Sequence, residues 1–132
     1  MATIRKEIPV KASAADAWDA IRDIGALHTR LVPGFVVATT LEPGARVVTF
    51  GNGMVAREVI VDVDEERRRV VWSATGGSMT HHNASAQVIA DGGATRFVWI
   101  ADLLPHELAP AVAAMIEQGL AVIKRTMEQV AR

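Results

Sequence analysis

The final stretch of the chain, Pro105 to Arg132, constrains the fold more than any other segment. Leu108, Val112, Met115, Ile116, Leu120, Ile123, Met127 and Val130 recur at three- and four-residue spacing, which places them along one face of a helix. Glu107, Glu117, Lys124, Arg125 and Glu128 fall mostly away from that stripe. Pro105 suits a first-turn position, where a missing N–H costs nothing. Pro110 either kinks the start of the helix or moves it later. Gly119, in mid-helix, costs about 1 kcal/mol relative to alanine. A closely packed neighbour is the favoured reason for it, with room for a ligand as the alternative. The segment from Gly34 to Leu103 reads instead as short strands. One long helix after a run of antiparallel strands must bury its apolar stripe on their sheet. Where the sheet curves away from the helix, a pocket opens between them.

The strands follow from alternation bounded by turn residues. The spacing predicts strands at Thr3–Val10, Phe35–Leu41, Arg46–Phe50, Met54–Val63, Arg69–Thr75, Met79–Ala90 and Thr95–Leu103. Glu42-Pro43-Gly44-Ala45, Gly51-Asn52-Gly53 and Asp91-Gly92-Gly93 supply the turns. Ser13, with Asp16 three residues on, opens a short helix carrying Trp18, Ile21 and Ile24. A second helical turn spans Ala26 to Leu31. The order is strand, two short helices, six hairpin-connected strands and a terminal helix. It predicts an α+β domain with an antiparallel sheet, not a parallel doubly wound fold.

Bulk properties narrow the function. A chain of 132 residues, half of them hydrophobic, makes a single domain with a real core, spanning residues 1–132. The net charge of −1, and the balancing of Arg67-Arg68-Arg69 by Asp62, Asp64, Glu65 and Glu66, argue against nucleic-acid binding. There is no cysteine, so neither a disulfide frame nor thiol chemistry is available, which fits a reducing cytoplasm. Met1 to Val10 is charged and alternating, unlike a signal peptide or a membrane span. The sequence contains no zinc-protease, phosphate-loop or nucleophile-elbow string, so no metal or cofactor is expected.

The order of elements and several local strings are similar to a known family. Ile8-Pro9-Val10-Lys11-Ala12 leads into Ala17-Trp18 and Ile21-Arg22-Asp23. Gly53-Met54-Val55-Ala56-Arg57-Glu58, Arg96-Phe97-Val98-Trp99-Ile100 and Leu104-Pro105 follow. Over nearly its whole length the chain resembles the START-like (SRPBCC) superfamily, and within it the polyketide cyclase/dehydrase and lipid-transport group. The resemblance implies a helix-grip fold, a strongly bent seven-stranded antiparallel sheet around the terminal helix with an apolar cavity between them. It does not imply one reaction. The family's members include lipid carriers, hormone receptors and aromatase/cyclases, so the site must carry the argument.

Two residues are the candidates for chemistry. Arg57 shares a strand phase with Val55, Val59 and Val61, so either it is a buried cation awaiting an acidic partner or its stem carries the charge out to solvent. His82 is in phase with Ala84, Ala86 and Val88, so either it meets a ligand inside the cavity or it ends a strand near solvent. Its neighbour His81 points to the opposite face, which rules out a shared metal. Trp18 and Trp99 are expected as core or cavity wall and as ligand-binding candidates, Met115 as a ligand-facing residue, and His28 as a residue beside the entrance that could contact a ligand. Asp102 is expected to end a strand beside the helix start. The absence of tyrosine removes a frequent phenolic acid of cyclase pockets.

Three functions fit these residues. The first is binding of a hydrophobic or aromatic small molecule in the cytoplasm, without membrane insertion. The second is a cyclase or dehydratase using Arg57 and His82. The third is a protein-interaction or stress-related domain with a collapsed cavity. Exposed strand edges leave room for a homodimer.

Overall fold

The computed structural model describes residues 2–130. Seven strands form one antiparallel sheet in the order β1-β7-β6-β5-β4-β3-β2. They are β1 Ala2–Val10, β2 Val36–Glu42, β3 Ala45–Phe50, β4 Val55–Asp64, β5 Arg69–Thr75, β6 His81–Asp91 and β7 Ala94–Leu104. Each consecutive pair from β2 to β7 is a hairpin, and β1 returns to lie beside β7. The helix α1 (Ala14–Arg22) and a five-residue π-type helix (Leu27–Leu31) fill the connection from β1 to β2. The helix α2 (Ala109–Val130) closes the chain. This is the helix-grip arrangement expected from the sequence.

Local chemistry accounts for the elements. Ser13 caps α1, its Oγ accepting from the Asp16 N–H at 3.0 Å. Gly44, at φ 70°, makes the tight turn between β2 and β3 in a region that disfavours side chains. The core sits between the concave face of the sheet and α2. Val48, Val70, Phe97 and Leu103 from the sheet are fully buried there, as are Ile116 and Ile123 from the helix. A line of polar contacts ties α2 to β1. Lys6 pairs with Glu117 at 2.9 Å, and Lys124 donates to the Pro9 carbonyl at 2.9 Å. Glu128 accepts from Lys124 and from the Lys11 N–H, and these bonds hold its carboxyl below the usual range.

Three expectations are corrected. The helix does not begin at Pro105. β7 continues to Leu104, Pro105 is extended, and a 3-10 turn (His106–Leu108) precedes α2. Pro110 is the proline that occupies the first turn, where no N–H is needed. The expected last residues, 131 and 132, lie outside the described residues. Asp102 does not end its strand. It lies within β7 and accepts from Thr3 Oγ1 at 2.6 Å. Finally, a register shift between Ile60 and Asp62 breaks the alternation expected through Met54–Val63 and brings Val63 opposite Val70.

Candidate functional site

A cavity of about 660 Å³ lies between the concave face and α2. Its mouth is framed by exposed lining residues of the turns at Gly51-Asn52 and Gly76-Gly77-Ser78, and by Ala111 and Gln118 of α2. Its inner end reaches Ile21, Leu27 and Leu31 of the short helices. The walls are apolar, and small residues make the space. Ala56, Ala74, Ala86 and Ala101 line the sheet side, where larger side chains would fill the gap to the helix. Trp72 and Trp99 stand together on that wall, ring centroids 6.1 Å apart. Gly119 lets α2 approach them, since a Cβ there would fall 2.8 Å from Trp99 Cζ3. The close neighbour expected at Gly119 is therefore present.

Three polar residues interrupt this surface, Arg46 and Glu58 well inside the mouth and His82 nearer to it. Arg46 and Glu58 face each other across β3 and β4, and Arg46 Nε donates to Glu58 Oε1 at 2.8 Å. Both side chains are almost wholly buried, at 4% and 10% exposure. Arg46 is held further by Nη1 donating to the Ile24 carbonyl at 3.3 Å, and by its guanidinium lying 5.4 Å from the centroid of the Trp72 ring. A buried pair held by added bonds avoids the penalty of an isolated charge.

His82 is the third. It lines the cavity half-buried, and its Nδ1 accepts from the Ala74 N–H at 3.0 Å while Ser73 Oγ donates to its carbonyl at 2.6 Å. The β5–β6 ladder ends at Trp72–Ala84, and these two side-chain bonds continue it for one more step. An Nδ1 that accepts leaves the proton on Nε2, so the ring is neutral and presents a donor. Burial is the main reason that its pKa lies below the ordinary 6.5. Nearby His81 lowers it further, against an opposing pull from Asp102.

The other expected site residues divide. Trp99 and Met115 line the cavity, whereas Trp18 and His28 are outside its lining. Trp18 is buried under α1 and donates Nε1 to Glu65 Oε2 at 2.7 Å, pinning α1 to the β4–β5 turn. That bond, with a second from Arg22, holds the Glu65 carboxyl below its usual range. His28 is half-buried in the π-type helix.

Of the two readings of Arg57 the structure takes the solvent one, which removes it from the ligand-binding candidates. It points to solvent on the convex face and pairs with Glu42 at 2.9 Å, both side chains roughly half exposed. Val55, Val59 and Val61 are exposed with it. Valine favours strands on either face, so a run of valines does not identify the inner one. The expected partnership of Arg57 and His82 across the cavity does not form. Nor is the cavity filled, because Trp18 lies elsewhere while Trp99 and Met115 stand on its wall.

The pair that does face inward, Arg46–Glu58, is not among the residues expected at the site. A signal for it was present. A hairpin centred on Asn52 puts Arg46 opposite Glu58, and each sits in phase with apolar neighbours, Val48 and Phe50 or Ala56 and Ile60. Among the described residues no cluster of His, Asp or Glu is arranged to hold a metal ion, and no helix is long and apolar enough to cross a membrane.

The sequence model of the polyketide cyclase / dehydrase and lipid transport family matches residues 1–128. Among solved structures, a protein from Thermobifida fusca is 30% identical, with 99% of this chain and 93% of that one covered at a TM-score of 0.78. A START superfamily protein from Mycobacterium smegmatis is 15% identical, covering 98% and 96% at a TM-score of 0.73. Norcoclaurine synthase from Thalictrum flavum, in complex with dopamine and hydroxybenzaldehyde, is 20% identical, covering 98% and 85% at a TM-score of 0.71. The last two likenesses establish shared fold alone. No curated protein matches the sequence.

Proposed function

This chain belongs to the polyketide cyclase / dehydrase and lipid transport family, and from that membership and the cavity we propose that it binds a hydrophobic or aromatic small molecule, lipid- or polyketide-like, between the sheet and α2. The observation that carries the reading is the cavity itself. About 660 Å³ of space is walled by apolar side chains and crossed by only a few inward polar groups, the usual composition of a small-molecule site. Trp72 and Trp99 supply flat surfaces on which a planar ligand stacks, and unbranched Met115 adjusts to its outline. The role belongs in the cytoplasm, in keeping with a chain that has no cysteine.

The direct test is native mass spectrometry of protein purified from its own host, followed by a thermal-shift screen against hydrophobic and aromatic compounds. A co-purifying lipid or aromatic molecule, or a concentration-dependent rise in Tm, is the expected result. The absence of both a bound mass and any shift across the library would overturn the proposal.

A further inference from the structure

The polar groups inside the cavity lie on one line. Arg46 is opposite Glu58, Glu58 is opposite Ala74, and Ala74 is hydrogen-bonded to His82. They form a single transverse rung across β3, β4, β5 and β6, facing α2. Along β3 the rung is about 13 Å from Phe50 at the mouth, at ~3.3 Å per residue. Glu58 and His82 are two strand spacings apart, roughly 10 Å, and alanine stands between them. The rung is therefore a polar edge with an open step at Ala74, in a cavity whose other polar lining residues, Asn52, Ser78 and Gln118, stand at the mouth.

Hydrogen-bond accounting shows what the rung offers. Arg46 uses Nε on Glu58 and one Nη1 proton on Ile24, and its Nη2 has no partner among the described residues. Glu58 Oε1 is occupied, whereas Oε2 accepts nothing among the described residues. His82 has Nδ1 occupied, which leaves the Nε2–H as a donor. The rung thus presents donors at Arg46 and His82 and an acceptor at Glu58, while the Arg46 charge is already neutralised by Glu58. A group that both donates and accepts satisfies it. An anion does not, because it would face the Glu58 carboxylate inside an apolar-walled cavity with no uncompensated cation to attract it.

We infer that the cavity selects a neutral amphipathic ligand whose hydroxyl, phenol or amide lies along the Arg46–Glu58–His82 rung with its apolar body against Trp72 and Trp99, and that it rejects free carboxylates of the same shape. The inference rests on the binding reading above and adds the class of ligand. Free fatty acids and aromatic acids are excluded as preferred occupants, and alcohols, phenols and their neutral derivatives are favoured.

The experiment compares three probes of one shape, naphthalene, 2-naphthol and 2-naphthoate, by calorimetry at neutral pH. Two hydrogen bonds to the rung correspond to at least about a tenfold preference for 2-naphthol over naphthalene. 2-Naphthoate is expected to bind more weakly than either. The same series is then run on Arg46→Met/Glu58→Met, which replaces the buried pair with side chains of similar length and is expected to fold. In that variant the preference for 2-naphthol over naphthalene should shrink toward parity. Tighter binding of 2-naphthoate than of 2-naphthol, or a phenol preference that survives in the double variant, overturns the inference. Uptake of naphthalene with no preference for the phenol overturns it while leaving the binding reading intact. No uptake of any probe, together with an empty library screen, overturns both.

Discussion

At the scale of single residues, the face on which a side chain lies decides its role. Arg57 and Glu58 are adjacent, so one must point in and the other out. The valines around Arg57 suggested that the arginine was the inward one, but the inner partner across the strand is Arg46, and an arginine inside calls for a glutamate opposite. For His82 the phase with Ala84 and Ala86 left two positions open, inside the cavity or at a strand end near solvent, and the structure has it at the start of β6 with its ring in the cavity lining. Its protonation would break the bond from the Ala74 N–H, so it should titrate below 6.5. A depressed folded-state pKa means that the unfolded chain takes up the proton first, so the stability His82 contributes is present above about pH 6.5 and is lost as pH falls through its folded value. An imidazole titration followed by NMR checks this, and a His82 midpoint at or above 6.5 would contradict it. Gly119 makes a second residue-scale prediction. Gly119→Ala gains about 1 kcal/mol of helix propensity but drives a methyl into Trp99, whose ring yields toward the open cavity. Tm should move by no more than about 4 °C, while ligand uptake falls and tryptophan fluorescence changes. A large drop in Tm with uptake preserved would show that the ring cannot yield.

At the scale of elements, the hairpins set the register and the register sets the chemistry. The Gly51-Asn52-Gly53 turn aligns β3 and β4, and a slip of one residue would move Glu58 to the convex face and leave Arg46 buried without its partner. The pair is thus a register pin as well as part of the cavity wall. Removing one member strands a charge in the core, so Arg46→Met or Glu58→Met alone should cost about 3–5 kcal/mol. The Arg46→Met/Glu58→Met double replacement should be near neutral. Chemical denaturation of the three variants measures both, and additive losses in the double variant would refute the coupling. The strands and their turns were legible in the sequence because alternation and Gly-rich turns are local signals. The start of α2 was not. Two prolines, Pro105 and Pro110, both satisfy a first-turn position, and only the continued pairing of β7 with β6 through Leu104 chose the later one.

At the scale of the whole molecule, the sheet and α2 meet only in part. Ile116, Leu120, Ile123 and Met127 seal the helix onto the fold, while Ala111, Val112 and Met115 stand over open space. A ligand that fills this space binds the folded state alone, so at a hundredfold excess over its Kd it should add about 2.7 kcal/mol to unfolding stability. At the same ligand concentrations, the Arg46→Met/Glu58→Met variant should show a smaller rise with a neutral polar ligand and an undiminished one with a hydrocarbon. Equal rises with both ligands in both proteins would separate the cavity's stability from its rung. The amino-acid sequence by itself determined the order of elements, the antiparallel hairpins and the amphipathic last helix, because periodicity, turn residues and caps act over a few neighbouring positions. The tertiary structure alone decided which face of β4 turned inward, that Trp18 and His28 stand outside the cavity, and that Arg46, Glu58 and His82 share one rung. The Asn52 hairpin signals locally only that Arg46 lies opposite Glu58; bringing His82 onto their line depends on the pairing of β4 with β5 and on a side-chain bond between residues up to 36 positions apart, which no local pattern encodes.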